Sequence, residues 1–111
     1  MEVASHTWEH PNMTTILAAD IPSQVRKATE AIAAATGRAP NLYRPAGRLS
    51  NDAVRAQAGK QGPAEILWGV IPFDWINDAD LAATTSMLKT QIKPGPAVLL
   101  HDTYSSTVDL V

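Results

Sequence analysis

Two of the three histidines stand four residues apart, in the run Ser5-His6-Thr7-Trp8-Glu9-His10-Pro11. Across one helical turn that spacing puts both imidazoles on one face. With no cysteine in the chain, such a pair points to a divalent metal held by nitrogen and oxygen ligands. The third histidine, His101, follows Leu99-Leu100 and precedes Asp102. Arg44-Pro45-Ala46-Gly47 and Asp74-Trp75 add a cation, a carboxylate and an aromatic ring. Alone, each motif has a plain alternative. The histidine pair also fits two unrelated surface residues, and Arg-Pro before Gly also fits a turn. Asp74-Trp75 also fits a solvated carboxylate beside a core indole, and His101-Asp102 a helix start.

The elements that must position these groups alternate. Glu2 to Ser5 reads as the tail of a strand. A helix is predicted from about Pro22 to Thr36, with Asp20 as N-cap and Pro22 in its first turn. Val25, Ala28 and Ile32 fall on one side of it, and Gly37 is its C-cap. Asn41 to Arg44 reads as a short strand ended by Pro45 and Gly47. Ser50 or Asn51 caps a second helix to about Lys60, stopped by Gly62-Pro63. Ala64 to Ile71 has a buried-strand composition. Asp78 caps a third helix through Leu81, Thr85, Leu88 and Ile92, which Pro94-Gly95-Pro96 ends. Ala97 to Leu100 is a compact apolar strand, and Ser105 or Ser106 starts a last helix. The order β-α-β-α-β-α-β predicts an α/β fold of parallel strands with helices outside. In such folds chemistry collects where strands pass into the following loops. His6, Arg44, Asp74 and His101 all stand at or just after a predicted strand end, so they are expected to converge on one face.

A chain of 111 residues suffices for one small domain. A net charge of -2 with scattered Lys and Arg argues against a nucleic-acid partner and against a polybasic membrane patch. The lack of cysteine excludes disulfides, thiolate metal sites and a cysteine nucleophile. No apolar run approaches the roughly 20 residues that span a bilayer. Met1-Glu2-Val3-Ala4-Ser5 has neither the basic region nor the apolar stretch of a signal peptide.

Together and in this order, the motifs resemble the polysaccharide deacetylase family, carbohydrate esterase family 4. Its His-Ser/Thr-x-x-His motif matches His6-Thr7-Trp8-Glu9-His10, and its Arg-Pro-Pro-Tyr-Gly-like turn matches Arg44-Pro45-Ala46-Gly47 loosely. Its Asp-Trp dipeptide matches Asp74-Trp75, and its Leu-x-His matches Leu99-Leu100-His101. The family's first motif, a Thr-Phe-Asp-Asp-Gly-Pro-like run with a catalytic base and a metal-ligating aspartate, has no counterpart in this sequence. Gly47 stands at the aromatic position of the third motif, and Ile71 where an earlier aspartate often precedes the fourth. By this resemblance residues 1–111 are the middle to late part of the catalytic domain. That part belongs to a distorted (β/α) barrel, strands parallel and helices outside, truncated at both ends.

The resemblance implies metal-assisted hydrolysis of an acetamide or acetate ester on a sugar. His6 and His10 become metal ligands, with zinc the first expectation and cobalt or nickel fitting the same donors. The metal polarises the acetyl carbonyl and activates water. Arg44 pairs with the family's catalytic base, and the Gly47 N–H helps to stabilise the oxyanion. His101 is the general acid, oriented by Asp74. Leu99 and Trp75 form the slot for the acetyl methyl. Thr7 holds the ligand loop by hydrogen bonding, Glu9 is solvated, and Trp8, Trp68 and Tyr43 pack. The implied substrates are acetylated polysaccharides or oligosaccharides (chitin, peptidoglycan or xylan), met outside the cell or in a bacterial envelope. The exposed edges of a partial barrel call for the missing N-terminal half or for self-association. A second reading is non-catalytic: a degenerate fragment of the same fold that binds a glycan or a partner. With two ligands and no base, the chain by itself is expected to bind zinc weakly and to have little activity.

Overall fold

The computed structural model describes residues 2–76 and 80–111. The chain forms two compact units, Met1–Leu67 and Trp68–Val111.

In the first unit, helix α1 spans Ile21–Thr36. Pro22 sits in its first turn, where a missing N–H is harmless. Gly37 ends it in the left-handed conformation (φ 76°) and donates its N–H to Ala33 O at 2.9 Å. Asp20 is the N-cap by position, yet its side chain makes no capping bond. Strand β1 is Leu42–Tyr43 and pairs in parallel with β2, Ala64–Glu65. Ser5 bridges Tyr43 from the other side, also in parallel. Between β1 and β2 lies α2, Asp52–Gly59, capped by the Asn51 side chain, which accepts from the Val54 N–H at 2.9 Å. Helices α1 and α2 pack on each other. Met13, Ile21, Val25, Tyr43, Val54 and Ala58 form the buried core beneath them.

The second unit is built on a single parallel bridge, Val70 to Val98. Leu99 N–H donates to Val70 O at 3.0 Å, and Gly69 N–H to Ala97 O at 3.0 Å. Gly69 is required by space: a Cβ there would lie 2.8 Å from Pro96 Cβ. Helix α3, Leu81–Gln91, packs against α4, Ser105–Leu110. The Asp80 side chain caps α3 by accepting from the Ala83 N–H at 2.8 Å. The expected cap, Asp78, lies outside the described residues. Gln91, at the end of α3, makes a reciprocal pair with the Ile71 backbone, both bonds 3.2 Å.

Parallel pairing with flanking helices, the expected α/β arrangement, holds within each unit. The strands are shorter than expected. The predicted strand over Ala64 to Ile71 pairs only at its two ends, and the one over Ala97 to Leu100 only at Val98. Apolar composition marks burial, but a ladder needs a partner of equal length.

Candidate functional site

The first group of candidates lies in the first unit. The His6–His10 segment is not a helical turn: Thr7 and His10 have φ of 69° and 56°. A chain bent twice through the left-handed region folds His10 back towards His6. The two imidazoles meet edge to face, centroids 4.8 Å apart and planes at 79°. His6 Nδ1 lies 2.7 Å from the Arg44 carbonyl oxygen. A carbonyl only accepts, so Nδ1 carries a proton and, in the neutral ring, the lone pair is on Nε2. The parallel bridge brings these residues together, because Arg44 N–H donates to Ser5 O at 2.8 Å while its own carbonyl receives His6.

The loop is fastened to α1. Glu9 N–H donates to Gln24 Oε1 at 2.9 Å, and Gln24 Nε2 donates to Glu9 Oε2 at 2.6 Å. Glu9 is therefore exposed but anchored, not simply solvated. The Thr7 hydroxyl oxygen is buried without a hydrogen-bond partner among the described residues, so it does not hold the loop as expected. Trp8 is not packed: half of its surface is exposed. The Arg44 side chain is half-buried, and burial lowers its pKa. Gly47 lies in a single 3-10 turn, Ala46–Arg48, with φ of 58°, a conformation that glycine takes without strain.

The second group lies in the second unit. Asp74 is fully buried, and its carboxylate accepts three hydrogen bonds. Oδ1 faces His101 Nδ1 at 3.0 Å. Oδ2 accepts the His101 backbone N–H at 2.5 Å and the Thr107 hydroxyl at 2.9 Å. Burial alone would push this carboxyl up, but the bonds from His101 and Thr107 and the charge of His101 outweigh it and hold the group below the usual range. An ionised carboxylate can only accept, so His101 Nδ1 carries a proton and Nε2 is left for chemistry. The His101 ring is one-third exposed. Trp75 meets it edge to face at 5.3 Å, and Tyr104 at 6.1 Å. Phe73, with φ of 55°, turns the chain tightly just before Asp74, and its carbonyl accepts from Ile76 N–H at 2.9 Å. Leu99 is buried and Trp75 partly exposed.

Gln24 and Thr107 escaped the sequence reading. Gln24 carried a signal, being a polar residue on the face of α1 that buries Ile21, Val25 and Ala28. Thr107 carried none beyond lying near His101.

A family model described as polysaccharide deacetylase matches residues 1–65. The chain belongs to the polysaccharide deacetylase family. It is 36% identical over 105 residues to a chitooligosaccharide deacetylase of Bradyrhizobium sp. (strain ANU 289), covering 93% of this chain and 47% of that protein. It is 32% identical over 108 residues to PdaC, the peptidoglycan-N-acetylmuramic acid deacetylase of Bacillus subtilis, covering 97% of this chain and 22% of PdaC. Among solved structures it matches a family 4 carbohydrate esterase from Streptomyces lividans in complex with acetate. There the TM-score is 0.89 at 33% identity, over 99% of this chain and 56% of that one. It also matches a CE4 family pseudoenzyme from Bacillus anthracis, with TM-score 0.91 at 30% identity over 98% of this chain and 38% of that one. This chain of the polysaccharide deacetylase family thus has the fold of the matched parts of those two structures and spans about half, or less, of its curated relatives' length.

The family implies a divalent metal, and the donor chemistry of the first group fits one in part. His6 offers an imidazole whose ring is oriented through Nδ1 by the Arg44 carbonyl, beside the ring of His10. Among the described residues no cluster of three His, Cys, Asp or Glu is placed to hold an ion.

Proposed function

We propose that this chain carries part of the machinery of a metal-dependent deacetylase. Its reaction would hydrolyse the N-acetyl amide, or O-acetyl ester, of a carbohydrate polymer. The observation that carries this reading is the buried Asp74 carboxylate holding His101 by both ring and backbone. A lone surface histidine needs no such support.

His6 and His10 would hold the metal through their ring nitrogens. When bound, a divalent ion there supplies polarisation of the acetyl carbonyl and a nucleophilic water. The Arg44 charge keeps a carboxylate base ionised, and the Gly47 N–H donates to the developing oxyanion. His101 Nε2–H gives its proton to the leaving nitrogen or oxygen of the sugar. Asp74 stays ionised at neutral pH, fixes Nδ1–H and stabilises the imidazolium before that transfer. Trp75 and Leu99 supply the apolar wall for the acetyl methyl. The substrate classes named for the relatives, chitin-type and peptidoglycan glycans, support a reaction outside the cell or in its envelope. Among the described residues no helix is long and apolar enough to cross a membrane.

A second reading, a glycan-binding chain without catalysis, is favoured by the two-donor metal group. Acetate release from N-acetylated chito-oligosaccharide, peptidoglycan glycan and acetylated xylan separates the two. Slow, chelator-sensitive release that disappears in His6→Ala and in His101→Ala supports the deacetylase. Glycan binding without acetate in zinc, cobalt or nickel supports the second reading. Acetate release unaffected by both substitutions overturns the assignment of roles.

A further inference from the structure

The metal-ligand loop contains two strained residues and yet presents its rings in one arrangement. Thr7 and His10 are non-glycine residues with φ of 69° and 56°, each in a left-handed region that is unfavourable for an L-residue. Something must over-determine that shape. Thr7 does not, since its buried hydroxyl lacks a partner among the described residues. The strand bridge ends at Ser5 and His6, before the strained part begins.

A further contact comes from α1. Gln24 is buried (7% exposed) on the face that otherwise buries Ile21, Val25 and Ala28. A buried amide pays in desolvation and side-chain order, and an aliphatic residue would pack there without that penalty. Its two bonds both go to one residue, Glu9, and grip it at backbone and side chain together, at 2.9 and 2.6 Å. Glu9 is the residue immediately before His10 and lies between the two strained positions. Fixing its peptide fixes the approach of His10 to His6.

We propose that Gln24 is a positioning residue for the metal-ligand pair: its clamp on Glu9 holds the His10 ring against the His6 ring. This rests on the reading of His6 and His10 as ligands for its purpose, but not for its geometry. A ring pair held in advance binds an ion without first ordering a loop, and losing such outer support typically lowers metal affinity by about 10–100-fold.

The test uses the full chain with Gln24→Leu, Glu9→Ala and Glu9→Gln. Proximity of the two imidazoles is read by nuclear Overhauser contacts between their ring protons, and the Glu9 amide by hydrogen exchange. Titration with zinc and cobalt follows. Gln24→Leu should lose the ring contact, speed Glu9 exchange about tenfold, as expected for one lost hydrogen bond, and weaken metal binding at least tenfold. Glu9→Ala, exposed and safe for folding, keeps the backbone half of the clamp and should fall between. Glu9→Gln keeps both bonds and should match the parent. An unchanged ring contact and unchanged Glu9 exchange in Gln24→Leu overturn the proposal. If Gln24→Leu does not fold, Gln24→Ala takes its place, and parental ring contacts with parental Glu9 exchange there overturn the proposal. If the parent shows the ring contact and its loss in Gln24→Leu but binds neither metal, the clamp stands and the metal reading fails.

Discussion

The two candidate groups are built on opposite plans. In the first unit, two imidazoles sit on a bent, largely exposed loop and are steadied from outside: one by a carbonyl of the next strand, the other through a helix side chain gripping its neighbour. In the second, a carboxylate with no exposed surface is the hub, and the working histidine is attached to it twice. One plan orients rings on an accessible loop. The other fixes one imidazole on a buried carboxylate, the arrangement the proposed proton transfer calls for. Metal ligation needs accessible lone pairs and tolerates a pliant frame, whereas acid catalysis needs one stable tautomer. On the proposed roles, the difference in burial matches the difference in task.

Asp74→Ala should produce the largest contrast. It leaves the His101 N–H and the Thr107 hydroxyl without their acceptor, at an expected loss of about 3–5 kcal/mol. Urea unfolding should show this loss, while His10→Ala, on the exposed loop, should unfold almost as the parent does. Comparable losses from both would erase the distinction between hub and loop. Next, the thermal midpoint should rise modestly on adding zinc, and this rise should vanish in His6→Ala but survive His101→Ala. Tight zinc binding would break the view that the first group is only part of a ligand set.

Thr107→Val should cost about 1 kcal/mol and raise the Asp74 pKa, because a donor to the ionised form is gone. Thr107→Ser should restore both. Carboxyl carbon titration by NMR reads the shift directly, and an unchanged value would remove Thr107 from the hub. The smallest effects lie at the pH extremes. Asp74 is held below its unfolded value. Its contribution is therefore complete above about pH 4 and is lost as pH falls through the folded pKa. Tyr43 is shifted the other way, by burial first and then by its 2.5 Å bond to Glu65. That contribution is present below about pH 10 and is lost as pH rises through the raised folded value. Acid sensitivity removed by Asp74→Asn, and alkaline sensitivity removed by Tyr43→Phe, would assign one limb to each unit.

What the sequence made legible was local punctuation. Pro22 and Gly37 bounded α1, and Asn51 capped α2, because each acts through its own backbone or the next turn. The ordered motifs named residues that the structure brings together within each unit, His6 with His10 and Asp74 with His101 and Trp75. They missed how those residues are held. Four-residue spacing implied a helix at His6–His10, but left-handed backbone at Thr7 and His10 carries no mark in non-glycine residues. Strand length was overestimated over Ala64 to Ile71, since pairing depends on a distant partner. Gln24 and Thr107 act at separations of 15 and 33 residues from their partners, beyond any local pattern.

The bond from His6 to the Arg44 carbonyl carries one more lesson. The group that sets the tautomer is main chain, so it comes with any amino acid at that position, and exchanging the Arg44 side chain leaves it in place. Sliding β1 by a single residue does not, because the neighbouring carbonyl points the other way. The readiness of this imidazole is thus indifferent to spelling at position 44 and sensitive to counting: an insertion or deletion in the segment before β1 would silence it where a substitution would pass unnoticed.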